Sequence, residues 1–101
     1  MPRRRIALAL LAVAGIAGCA SSGPTWTMPD VVGQNLQAAQ DAVQQPTGFE
    51  VRVTTRDLSG ADRTQVEDVE WRVCTQTPEP GAEITRESMV DLGVVRQAED
   101  C

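Results

Sequence analysis

The apolar residues fall into one unbroken run near the start of the chain and four short patterned stretches after it. The run spans Ile6 to Gly18. Further on, Leu36, Ala39 and Val43 stand at i, i+3 and i+7 with Gln37, Gln40, Asp41 and Gln44 opposite them, the spacing of a helix with one buried stripe. Asn35 is a good N-cap before it, because its side-chain oxygen can accept an orphan helical N–H. Pro46 stops the run, so the helix is placed at about 36 to 45. Three alternating stretches follow: Phe49, Val51 and Val53; Val69, Trp71 and Val73; Val90, Leu92 and Val94. Each has the period of a strand with one buried face. Between the first and second, Thr55 to Asp68 holds no sustained period and reads as a long loop. Pro78-Glu79-Pro80-Gly81 ends the second strand. The order predicts an α+β domain in which one short helix packs on a small three-stranded antiparallel sheet.

The first apolar run has 13 residues, short of the roughly 20 needed for a helix that crosses a bilayer. It follows Arg3, Arg4 and Arg5 and ends in small residues, the order of a bacterial export signal. Ile16-Ala17-Gly18-Cys19 resembles the bacterial lipobox, with Ile where Leu is preferred, which implies cleavage before a Cys19 that carries diacylglycerol. Acyl chains at ~0.8 kcal/mol per buried methylene would hold such a protein to a membrane. The alternative is an ordinary signal peptide in which Cys19 is incidental. The arginines leave general and twin-arginine export both open. Residues 1–18 are thus read as a lipoprotein signal peptide, 19–27 as a lipidated cysteine and flexible tether, and 28–101 as the folded domain with a C-terminal tail. Trp26 in the tether is free either to pack on the domain or to rest at the headgroups. An extracytoplasmic protein anchored to the cell membrane follows.

Composition narrows the chemistry. The chain has no His and no Lys, which removes the commonest general base and metal ligand, the Ser-His and Cys-His nucleophile pairs, and Schiff-base catalysis. Without the leader, 6 Arg face 14 acids, a net charge of −8 that repels nucleic acid. No cofactor is expected, and no catalytic or metal-binding residue is assigned. Testing Asp57 to Asp68 as a calcium loop puts Asp62 where the invariant Gly belongs and Ala61 at a ligand position, which rules it out. So short a chain also offers no deep cleft for two tuned carboxylates. Domains below ~80 residues usually need support beyond burial. Cys74 and Cys101, the two left after lipidation, are read as one disulfide whose loop closure contributes ~3.6 kcal/mol. Two free thiols are the alternative.

The order of elements and several residues resemble the PASTA domain, an extracytoplasmic module of penicillin-binding proteins and Ser/Thr kinases. Met28-Pro29-Asp30-Val31-Val32-Gly33 is similar to its opening, and Asn35-Leu36 with Ala39 and Val43 to its helix. Gly48-Phe49-Glu50-Val51, then Val73-x-x-Gln76-x-Pro78-x-x-Gly81, then Ser88-x-Val90-x-Leu92-x-Val94 are similar to the stretches that follow. The loop from Thr55 to Asp68 is longer than the family's connection, and the Gly before the last strand is absent at Arg86-Glu87. The resemblance implies recognition of peptidoglycan fragments and, more weakly, of β-lactams. A muropeptide site needs an aromatic face for sugars and guanidinium groups for carboxylates. Arg63, Trp71, Arg72 and Gln76, with Arg56, are the available set. Trp71, in phase with Val69 and Val73, is better placed as core than as platform, and Asp57 and Arg63 can pair across the loop. The expected protein is a lipid-anchored binding module for peptidoglycan or a muropeptide, or for a cell-wall-associated protein, without catalysis. The alternative is an envelope lipoprotein that keeps the fold and docks to another envelope protein.

Overall fold

A computed structural model describes residues 23–101. The expected export signal, Cys19 and the first part of the expected tether lie outside the described residues.

The chain enters as a short strand β1 (Trp26–Thr27), continues through helix α1 (Leu36–Gln44) and strand β2 (Arg52–Asp57), and makes a 3-10 turn at Asp68–Glu70. It ends with β3 (Trp71–Thr77), β4 (Glu83–Ile84) and β5 (Met89–Arg96). The helix begins where its cap predicts: Asn35 Oδ1 accepts the Ala38 N–H at 2.9 Å, and Leu36, Ala39 and Val43 are its buried residues. The main sheet has the order β2-β5-β3. Antiparallel pairing joins β3 to β5, but β2 runs parallel to β5, so the sheet is mixed rather than the all-antiparallel one expected. Alternation of apolar and polar residues marks a strand without giving its direction. Here β3 and β4 form the long excursion a parallel pair requires, and β5 returns into the centre of the sheet. A second two-stranded sheet pairs β1 with β4, Trp26 opposite Ile84. The tether expected through Thr27 therefore ends sooner, and Trp26 packs against the core.

Two apolar residues expected on buried strand faces lie outside. Phe49 is 68% exposed at φ +64°, because the helix closes with the Phe49 N–H donating to Gln44 O and the Gly48 N–H to Gln45 O. The buried alternation thus starts at Val51. Val69 sits in the 3-10 turn and is exposed, so the second alternation starts at Trp71, and β2 extends to Asp57, which shortens the loop.

The core gathers Met28, Val31, Leu36, Val43, Val51, Trp71, Val73, Ile84, Val90, Leu92 and Val94. The opening segment is fixed to it by main-chain bonds, with the Gly33 N–H donating to Val73 O and the Val73 N–H to Gln34 O. Gln76 completes this join. Its Oε1 accepts the Val31 N–H at 2.8 Å, and its Nε2 donates to Pro29 O and Pro78 O. One side chain thus ties the Pro-Asp-Val opening to the Pro-x-x-Gly turn. The disulfide between Cys74 and Cys101 is present, with Cα atoms 5.7 Å apart, and Cys74 lies at a bulge between Val73 and Thr75. The tail turns back after β5, the Glu99 N–H donating to Arg96 O.

Candidate functional site

β2 and β5 finish, and β3 begins, at one end of the sheet. There the loop, the 3-10 turn and the tail converge. Asp57 closes β2 with its side chain fully buried. Its two oxygens accept Arg63 Nε at 2.7 Å and Nη2 at 3.0 Å, along with the main-chain N–H groups of Arg63 and Ser59. The other edge of the same guanidinium donates to Glu99, Nη1 to Oε2 at 3.1 Å and Nη2 to Oε1 at 2.9 Å. Arg63 thus joins the start of the loop to the tail through two forked pairs. The Arg63 guanidinium holds the Asp57 carboxyl well below the usual carboxylate range, and burial opposes this without cancelling it. Glu99 is also lowered, first by Arg63 and then by the Arg96 N–H, and Arg63 is raised above its ordinary value by both acids.

Beneath this clasp lies Trp71. The Arg63 guanidinium stands 4.9 Å from its ring centroid and that of Arg96 5.7 Å. The ring is 2% exposed and belongs to the core. Arg72, next along β3, donates to the Glu99 carbonyl and lies 3.5 Å from Cys101 Sγ. Of the four residues expected to read a ligand, the structure therefore brings Arg63, Trp71 and Arg72 together around Glu99. Gln76 is held apart toward the other end of β3. Each of the three polar side chains already has intramolecular partners.

Sequence reasoning missed the exposed cleft beside them. Val69, Glu70, Arg96, Gln97 and Ala98 line a cleft of about 300 Å³. Arg96 is half exposed and pairs with the equally exposed Glu70 at 3.1 Å. The Gln97 amide N–H group reaches Val69 O and Trp71 O at 3.3 and 3.4 Å, which leaves its oxygen available. The signal lay in the cysteines: a bridge from Cys101 to Cys74 draws residues 97–100 back against the start of β3. Such a cleft can pair a carboxylate at Arg96, accept an amide N–H at Gln97 and cover a methyl group with Val69. Among the described residues no group of His, Cys, Asp or Glu is arranged to hold a metal ion, and no helix is long and apolar enough to cross a membrane.

The PASTA domain family model matches residues 27–96. No curated protein and no solved structure matches. The match covers the opening turn, the helix, the main sheet and the long loop, and stops where the cysteine-bound tail begins. On that match, which spans more than half of the chain, the chain belongs to the PASTA domain family.

Proposed function

We propose that this chain is a lipid-anchored, extracytoplasmic module that binds peptidoglycan fragments in the cleft of Val69, Glu70, Arg96 and Gln97. The family match carries the reading, since PASTA domains are binding modules for peptidoglycan or β-lactam-like ligands rather than catalytic domains. The leader and Cys19 support an anchor outside the cytosol. In the cleft, a stem-peptide carboxylate displaces Glu70 from Arg96. Little is lost in that exchange, because an exposed ion pair contributes little. Gln97 accepts an amide N–H, and Val69 and Ala98 cover an alanyl methyl group. Trp71 forms the floor beneath Arg96. Arg63 and Arg72 act by fixing Glu99, and so the tail that walls the cleft, while Gln76 keeps the opening segment in place. One domain gives one weak contact rather than avidity.

Titration of a muropeptide with a free carboxylate, followed by tryptophan fluorescence, tests this. A saturable change is expected in the wild type, weakened about tenfold or more in Arg96→Ala, the loss of one charge-assisted hydrogen-bonded pair. A second reading is favoured by the internal partners of Arg63, Arg72 and Gln76 and by the exposure of Val66 and Val69. It makes the loop a docking surface for another envelope protein. No fluorescence change in the wild type would select it.

A further inference from the structure

Two further clefts among the described residues share the opposite end of the sheet. Gly23 and Pro24, where the described chain begins, lie against Arg86 and Glu87 around a cleft of about 340 Å³. Arg86 and Glu87 also border the neighbouring cleft, with Glu50, Arg52, Ser88 and Met89. Arg86 Nε pairs with Glu50 at 2.9 Å, and Arg52 stands opposite Met89 where the parallel pair begins. Phe49 immediately precedes Glu50. The tether, two arginines and two exposed apolar side chains are therefore gathered at one end.

Three observations give this end a partner. Phe49, the largest exposed apolar side chain, is 68% exposed and held at φ +64°, a conformation that is strained for a bulky residue. Met89, which shares a cleft with Glu50, the residue after Phe49, is 53% exposed. The charges of Arg52, Arg86, Glu50 and Glu87 cancel, so the paired clefts themselves carry no net charge in a domain of net −8. An anionic headgroup layer repels acidic surface and admits these uncharged clefts, where Phe49 and Met89 can sink and arginine stems can lie along the surface. The reach is short as well. From Cys19 to Gly23 is four residues, at most about 14 Å of extended chain. β5, running from Met89 at this end to Arg96 at the other, is about 23 Å long.

We propose that the end formed by Phe49, Met89, Arg52 and Arg86 rests on lipid headgroups and turns the Arg96 cleft away from the membrane. This surface rests on the anchor assigned to Cys19 above. The test uses the full lipidated chain in phosphatidylcholine and phosphatidylglycerol vesicles with brominated acyl chains. Tryptophan reporters are placed by Phe49→Trp at this end and by Val69→Trp at the other, with the wild-type signal as background. A side chain sunk ~5–10 Å into the interface should lose roughly half its added emission at position 49 and none at position 69. Met89→Trp repeats the measurement should the first variant lose its native circular dichroism. Equal quenching at both ends, or none at 49 and 89 in protein that floats with the vesicles, would overturn the orientation alone. Failure of the wild-type chain to float would overturn the anchor, and the orientation with it.

Discussion

Arg63 bonds two carboxylates at the cleft end of the sheet, and these partners give it a pH signature. Asp57 and Glu99 both have lowered values in the fold. Their contribution is therefore complete above the ordinary carboxylate range, near 4, and is lost as pH falls below it through the folded-state values. Thermal unfolding should accordingly be level from pH 7 to about 5 and drop steeply towards pH 2. Arg63→Ala should lower the melting temperature at pH 7 and flatten that drop, which scans at pH 7 and pH 3 would show. An unchanged acid slope would assign the drop to other acids. Trp71 was legible as core from its phase with Val73, and the Asp57–Arg63 pair from their spacing. The place of Glu99 was not, since it depends on the tail being drawn back by a bond 27 residues long in sequence.

At the scale of elements, the cap and the central strand make separate claims on stability. Asn35→Ala removes the acceptor for the Ala38 N–H and should cost about 1 kcal/mol in urea denaturation. Gly93 lies buried in β5, where an added Cβ would overlap Thr75 Oγ1 and stand 2.8 Å from Leu58 Cδ2. Gly93→Ala should therefore cost ~1–3 kcal/mol by overpacking, with a greater loss for Val. A midpoint at or above that of the wild type would show that the loop carrying Leu58 yields freely. The helix was readable to within a residue because stripe, cap and proline agreed. Strand direction was not, because alternation is the same for either direction. The run Leu92-Gly93-Val94-Val95, buried on both faces, was the available sign that β5 is central. Phe49 and Val69 misled because each continues an alternation by one step into a turn whose main-chain bonds govern it.

The whole molecule joins a small core to a disulfide and, as proposed, to a lipid on Cys19. The disulfide closes a 27-residue span, and Cys101→Ser should cost ~2–5 kcal/mol, read as a lower urea midpoint without loss of the sheet's circular dichroism at low denaturant. Cys19→Ser should move the protein from the membrane fraction to the soluble one, and unchanged partitioning would remove the lipid from the account. Between these restraints the sheet sets two ends apart: the tether, Phe49 and Met89 at one, the Arg96 cleft and the tail at the other. The most direct measurement of wall recognition is cosedimentation of the detergent-solubilised chain with purified peptidoglycan, alongside Arg96→Ala and a neutral protein of similar size. Wild-type chain is expected in the pellet and Arg96→Ala largely in the supernatant. Wild-type chain pelleting no more than the neutral protein would contradict wall binding, and Arg96→Ala pelleting as fully as wild type would contradict the site.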